Sequence, residues 1–193
     1  MKKLILSAAL AALAAPALAH TGHGGTSGLM HGFMHPILGA DHLLAMLAVG
    51  LWSGFVLSRR VWAGAATFMG AMVLGAALSW SGVPIPGVEG LIAASVVVFG
   101  ALTVFAHGGQ PRWLTGASLA AIAGFAICHG HAHATEATGQ ALAYLAGFLS
   151  ATALLHLAGI ALARSIAAAR GAKTVRRLTG GAVAATGAWL VSG

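Results

Sequence analysis

Hydrophobic residues occur in six long runs that are separated by short polar segments. A helix that spans a lipid bilayer requires about 20 consecutive apolar residues, and each run is close to that length. The pattern therefore predicts an all-α, polytopic membrane protein built as a bundle of six transmembrane helices. The predicted spans cover residues 36–57, 61–80, 88–106, 113–131, 140–163 and 174–192.

A shorter apolar stretch at the N-terminus has the pattern of a cleavable signal peptide. Lys2 and Lys3 precede the apolar residues 4–15, and Ala17-Leu18-Ala19 has the small-residue spacing of a cleavage site. We therefore expect residues 1–19 to be removed and the mature six-span domain to comprise residues 20–193.

The composition excludes several classes of protein. Hydrophobic residues make up 59% of the chain and charged residues only 7%, whereas about a quarter of an ordinary soluble domain is charged. A soluble globular domain is therefore excluded. Disorder is excluded as well, because it requires low hydrophobicity and high charge. The single cysteine, Cys128, excludes an internal disulfide and a multi-cysteine metal centre.

The basic residues predict the orientation of the bundle. The eight that follow the signal peptide fall in alternate connections, and therefore on one side of a six-span bundle. The positive-inside rule makes that side cytoplasmic, so both mature termini are expected in the periplasm, with the protein in the bacterial inner membrane. The net charge of +7 does not indicate a nucleic-acid partner, because these bases lie between apolar runs. They are Arg59, Arg60, Arg112, Arg164, Arg170, Lys173, Arg176 and Arg177.

The first chemical motif lies at the start of the first span and consists of His35, Asp41 and His42. The two histidines are seven residues apart and share a helical face, whereas Asp41 points about 100° aside. A straight helix cannot direct all three at one ion. Either the helix unwinds near Gly39, where irregular backbone would line a cavity, or the residues serve successive sites along a path. Pro36 is expected in the first turn of this helix.

A second group of ligands lies at the outer end of the fourth span. If this segment is helical, His129, His133 and Glu136 share one face; if it is extended, His129, His131 and His133 do. Either arrangement offers imidazoles to a divalent cation, and a solvated histidine-rich loop is the structural alternative. Candidates with weaker support on the same side are His20, His23, His31, Glu89 and His131.

Small residues recur at every fourth position in two of the runs. This spacing lets helix backbones approach closely, and ordinary bundle packing is the favoured interpretation. The positions are Gly116, Ala120 and Gly124 in the fourth run, and Ala143, Gly147 and Ala151 in the fifth.

At these motifs the chain resembles the HupE/UreJ family of bacterial nickel permeases. The family's first-span motif, His followed by five residues and Asp-His, is matched by His35, Asp41 and His42. Its second motif resembles Phe-His-Gly-x-Ala-His-Gly-x-Glu, with Cys128 in place of Phe and Ala134 in place of the second Gly. The matching positions are His129, Gly130, Ala132, His133 and Glu136. The resemblance covers essentially the whole chain and implies uptake of Ni²⁺, with Co²⁺ as a second candidate, for nickel enzymes such as hydrogenase or urease.

The residue types are consistent with that implication. Imidazole and carboxylate ligands suit Ni²⁺, Co²⁺ and Zn²⁺ better than Cu⁺. The sequence has no Gly-Lys pair and hence no Walker-type loop. We therefore expect a secondary permease rather than an enzyme, with a metal ion as substrate, no prosthetic group, and the lipid bilayer as its surroundings. Uptake should fall in acid because only neutral imidazole binds metal. Homo-oligomerisation is left open.

Three other interpretations fit parts of the pattern. A membrane haem protein would use paired histidines from facing spans as axial ligands, with His42, His129 and His156 as candidates. A metal-binding accessory protein would hold the ion without transporting it. A copper importer would use a soft relay of methionine and histidine, formed by Met30, His31, Met34 and His35.

Overall fold

The structure is a computed structural model that describes residues 28–137 and 140–192. These ranges contain seven α-helices and no strand, which confirms the all-α prediction. The predicted signal peptide and the candidates His20 and His23 lie outside the described residues. The helices are α1 (Gly28–Leu38), α2 (Ala40–Val56), α3 (Ala63–Trp80), α4 (Val88–Phe105), α5 (Arg112–Glu136), α6 (Ala141–Ala167) and α7 (Ala172–Ser192).

The first predicted span is broken. Helices α1 and α2 are separated only by Gly39, and their axes bend by 77° at this residue. Gly39 has extended backbone angles, with φ −81° and ψ 117°. Of the two alternatives for this span, the structure therefore has the helix that unwinds near Gly39.

Pro36 lies near the end of α1 and not in the first turn of the spanning helix, so that expectation was wrong. The glycine- and histidine-containing residues before Pro36 continue the helix back to Gly28. A proline inside a helix loses one backbone hydrogen bond, and here the helix ends two residues later at Leu38. The apolar run alone could not reveal this extra helix, because residues 28–35 are too mixed to stand out.

The count of six spans is not reproduced by the described helices. Four of them, α3 to α6, are individually long and apolar enough to cross a membrane, and the bent pair of α1 and α2 adds a fifth if it forms one span. The sixth predicted span corresponds to α7, whose first turns contain Lys173, Arg176 and Arg177. Helices α5 and α6 also extend past their predicted limits, to Glu136 and Ala167.

The helices pack in pairs through glycine. Helix α3 packs on α5, α4 on α7, and α6 on both α1 and α2. A Cβ atom on Gly75 would overlap the Ile127 carbonyl, and one on Gly130 would overlap the Met72 carbonyl. The backbones of α3 and α5 are therefore in direct contact, as expected where lipid removes the hydrophobic drive between helices and packing must replace it.

Only one of the two predicted small-residue stripes is packed. Gly147 in α6 lies against the backbone of Leu29 and Phe33 in α1. In contrast, Cβ atoms on Gly116 and Gly124 would meet no neighbouring atom within 4 Å among the described residues. The predicted close packing of the α5 stripe was therefore wrong, since α5 contacts α3 through the face that carries Gly130.

Replacing Gly75 with valine should destabilise the protein, because its side chain would collide with the backbone of α5. Overpacking a tight contact typically costs about 1–3 kcal/mol, so the midpoint of thermal unfolding in detergent should fall. Gly70→Val is the matched control, because it adds the same side chain to α3 where no neighbour lies within 4 Å. Equal midpoints for the two variants would contradict the packing described here.

The segments that carry arginine and lysine, from here on the base-bearing segments, meet at one end of the bundle. The Arg164 guanidinium donates a hydrogen bond of 3.4 Å to the Ser58 carbonyl in the connection between α2 and α3. Gln110, which precedes α5, and Lys173, in the first turn of α7, line one open cavity of about 1160 Å³. This arrangement agrees with the charge pattern of the sequence, which places the bases on one side.

Candidate metal site

Three imidazoles from three helices converge at the break in the first span. They are His35 of α1, His42 of α2 and His133 of α5, and one ring nitrogen of each lies within 4.8 Å of the others. In a straight helix, His35 and His42 would be about 10 Å apart along the axis. The bend at Gly39 instead brings their ring centroids to 5.5 Å. The unwound residue is therefore what allows both histidines of the motif to face one point.

Two carboxylates hold the histidine rings from behind. The Nδ1 atom of His42 lies 2.5 Å from Oδ1 of Asp41, which also accepts the backbone N–H of His42 at 2.8 Å. Nδ1–H of His133 donates to Oε2 of Glu136 at 3.2 Å. The same Glu136 oxygen is 3.6 Å from Nε2 of His35. A carboxylate behind an imidazole fixes its tautomer and orientation and increases its basicity as a metal ligand.

These bonds set the direction of the free lone pairs. An imidazole that donates from Nδ1 to a carboxylate carries its lone pair on Nε2. In His42 and His133, these two Nε2 atoms are in contact with each other. Two lone pairs directed at the same point repel, whereas a cation that moved the two rings apart would be bound by both. The two rings therefore offer a pair of candidate ligand atoms for a cation.

Access to the cluster is one-sided. The side chains of His42 and His133 are each only 6% exposed, whereas that of His35 is 21% exposed and that of Glu136 is 36% exposed. His31 extends the line of rings outward along α1, with its centroid 6.3 Å from that of His35. The cluster is thus enclosed on its inner side and reaches the protein surface through α1.

Helix ends of both polarities surround the cluster. Helix α1 ends at Leu38 and α5 ends at Glu136, so the carbonyl ends of two helices lie beside the site. Cations are stabilised near helix C-termini. Asp41 lies in the first turn of α2, where a negative charge is favourable. The negative charge at the cluster comes from Asp41 and Glu136, whereas the base-bearing segments lie at the opposite end of the bundle.

Aromatic residues of α6 form a wall of the site that the sequence did not predict. The Phe148 ring lies 4.5 Å from that of His133, and the Tyr144 ring lies 5.4 Å from that of His31. Both aromatic residues are buried. Their spacing of one helical turn was the available signal, but such a pair inside an apolar run is indistinguishable from ordinary core packing.

The second ligand group, at the end of α5, is helical, which is the first of the two arrangements considered from the sequence. Helix α5 continues to Glu136, and His129, His131 and His133 are all buried, so neither the extended arrangement nor a solvated loop is present. The His129 ring contacts that of His42 at 5.2 Å but lies outside the group of three nitrogens. His131 points elsewhere, since its Nε2–H donates to the Val83 carbonyl at 2.6 Å.

Glu89 is not brought to the cluster in the structure. It lies in the first turn of α4 and is exposed. No ion pair within the described ranges involves it. The structure therefore gives no support to Glu89 as a ligand of this site, and its proposed role stays a prediction.

The geometry does not favour the haem or copper interpretations. The rings of His42 and His129 contact each other directly, so a porphyrin would not fit between them. The proposed soft relay is also divided, because Met30 is 51% exposed and Met34 37% exposed, while the histidines beside them face the cluster.

Apolar helices around a partly buried cluster of imidazoles and carboxylates define a multi-pass membrane protein with a candidate site for a divalent metal ion. The family profile described as "HupE / UreJ protein" matches residues 8–190. The chain is also 38% identical to Protein HupE of Rhizobium leguminosarum bv. viciae over 197 aligned positions, which cover 100% of both proteins. The chain therefore belongs to the HupE/UreJ family, which is associated with nickel and cobalt transport for hydrogenase and urease. No solved structure matches the chain.

Proposed function

We propose that this protein is a secondary permease that imports Ni²⁺, with Co²⁺ as a second substrate, across the bacterial inner membrane. The observation that carries the proposal is the convergence of His35, His42 and His133 at a broken helix, supported by two carboxylates. Imidazole and carboxylate are suitable ligands for both ions, and membership of the HupE/UreJ family supports the same substrates. The imported metal would supply nickel enzymes such as hydrogenase or urease.

The membrane potential is a sufficient driving force for this transport. Moving a doubly charged cation inward across 100 mV is favourable by about 4.6 kcal/mol. Conduction also requires that the ion can leave its site, and several weak positions in series serve this better than one tight cage. We infer that the cluster is the outer capture position of such a series, because His35 and Glu136 connect it to the surface.

Flux measurements in proteoliposomes test this function. Vesicles with an inside-negative potential and an internal metal indicator should accumulate Ni²⁺, and excess external Co²⁺ should reduce this accumulation. Protein-free vesicles give the background. Metal binding without flux above that background would replace the permease with the accessory-protein interpretation. Ni²⁺ accumulation that excess Co²⁺ leaves unchanged would contradict Co²⁺ as a second substrate.

We further propose that α7 forms the sixth span and that α1 and α2 together form the first. The basic end of the bundle would then be cytoplasmic, and both termini of the mature protein would be periplasmic. This topology is supported by the meeting of base-bearing segments at one end of the bundle.

Reporter fusions should place the C-terminus outside the cytoplasm. Alkaline phosphatase fused after Ser192 should be active, and a green fluorescent protein fused at the same residue should be dark. The same two reporters placed at Gly109, in the connection between α4 and α5, should give the opposite result: an inactive phosphatase and a fluorescent green fluorescent protein. Mass spectrometry of the purified chain should find His20 at the N-terminus. An active phosphatase at both positions would contradict the proposed topology.

A further inference from the structure

Two buried histidines share a geometry that the capture cluster does not explain. Nδ1–H of His129 donates to the Phe125 carbonyl at 2.9 Å, and Nδ1–H of His156 donates to the Thr152 carbonyl at 2.7 Å. Each bond joins residues one helical turn apart. Both imidazoles are 0% exposed. Neither Nε2 atom has a hydrogen-bond partner within the described part of the chain.

This geometry prepares both Nε2 atoms to bind a cation. The Nδ1–H bond to a carbonyl places the remaining lone pair on Nε2, and it is one of the usual outer-shell contacts of metal-bound histidine. Leaving a buried acceptor unsatisfied costs about 1–3 kcal/mol. His129 and His156 both leave Nε2 unsatisfied while donating from Nδ1, and packing alone does not explain why this cost occurs twice. A further unpartnered atom, Oγ1 of Thr152, lies one turn from His156 on the same helix.

The two histidines follow the capture cluster into the bundle. The His129 ring contacts that of His42 at 5.2 Å on one side and that of Phe68 at 5.3 Å on another. The Phe68 ring also contacts His156 at 5.1 Å. His156 lies eight residues beyond Phe148 of the cluster wall, which is about 12 Å farther along α6. His156 is therefore placed one step deeper, on the side toward the basic end.

We propose that His156 forms an inner binding position for the transported divalent cation, which it receives from His129 past the ring of Phe68. This inference rests on the proposed function. The inner position has one imidazole, with the Thr152 hydroxyl beside it, whereas the capture cluster has three imidazoles and two carboxylates. It therefore binds more weakly, as release toward the cytoplasm requires.

Substituting a thiol for the imidazole tests metal binding at this position without a transport assay. In a Cys128→Ala background, His156→Cys should give a thiolate-to-metal charge-transfer band when the purified protein is loaded with Co²⁺. Leu154→Cys is the matched control, because this neighbouring residue is 55% exposed and lies outside the cluster, and it should give no such band. A Co²⁺-loaded His156→Cys protein without the band overturns the inner site, as does an equal band in the control.

Binding and flux should separate in a second variant. His156→Ala should retain Ni²⁺ binding at the capture cluster within about twofold, while flux into proteoliposomes falls roughly tenfold or more. Unchanged flux in His156→Ala would overturn the inner position. If the unmodified protein shows no flux, the proposed function fails, but the Co²⁺ spectrum still decides whether His156 binds metal. The failures of the two proposals are thus distinguishable.

Discussion

Replacing His42 with alanine is expected to reduce Ni²⁺ uptake to the background of protein-free vesicles. His42 contributes a lone pair to the cluster, and its ring contacts those of His35, His129 and His133. Loss of an outer-shell partner alone typically lowers metal affinity or activity by 10–100-fold. Loss of the central imidazole should therefore lower uptake by about 100-fold or more, measured as initial rate in proteoliposomes of matched protein content.

His107→Ala is the control for this variant. It removes an imidazole that is exposed, lies after α4 away from the cluster, and bonds only its neighbour's carbonyl. We expect its uptake to match that of the unmodified protein. Retention of uptake in His42→Ala would remove the capture cluster from the transport path. A comparable loss in both variants would show that the effect is not specific to the cluster.

Replacing Asp41 with asparagine should weaken metal binding while preserving the fold. Asparagine has nearly the same shape and can still accept the bond from His42, but it lacks the negative charge that compensates a doubly charged ion. The side chain of Asp41 is 28% exposed, so the change leaves no cavity in the core. The concentration of Ni²⁺ that gives half-maximal uptake should rise by about 10–100-fold.

A conservative change at the same position separates charge from shape. Asp41→Glu restores the carboxylate and should recover part of the lost affinity, although its longer side chain displaces the contact with His42. The thermal unfolding midpoint of both variants should stay close to that of the unmodified protein. If Asp41→Asn reaches half-maximal uptake at the same Ni²⁺ concentration as the unmodified protein, the carboxylate has no role in charge compensation.

The sequence allows two interpretations of the first span: a helix that unwinds near Gly39, or successive sites along a path. His35, Asp41 and His42 cannot face one ion from a straight helix, and Gly39 is the residue between them that best tolerates unwinding. The structure has the break at this position, with a bend of 77°. What the sequence could not give was the helix before it, since residues 28–35 have neither the length nor the hydropathy of a span.

Other features depend on contacts between distant parts of the chain. The partnership of His133 with His42 joins residues that are 91 positions apart, and only the packing of α1, α2 and α5 determines it. Phe68 and Phe148 lie in apolar runs where nothing distinguishes a wall of the site from the core. His156 did carry a signal, because an ionisable residue within an apolar run indicates function, but its partners could not be inferred without the fold.

The most direct test of the central claim is the nickel K-edge X-ray absorption spectrum of the purified, Ni²⁺-loaded protein. We expect the Ni²⁺ to be coordinated by nitrogen and oxygen with several imidazoles and no sulfur, and by fewer imidazoles in His42→Ala than in His107→Ala. A shell that contains sulfur, or one without imidazole, would contradict the assignment of His35, His42 and His133 as ligands. An identical shell in the two variants would contradict it equally.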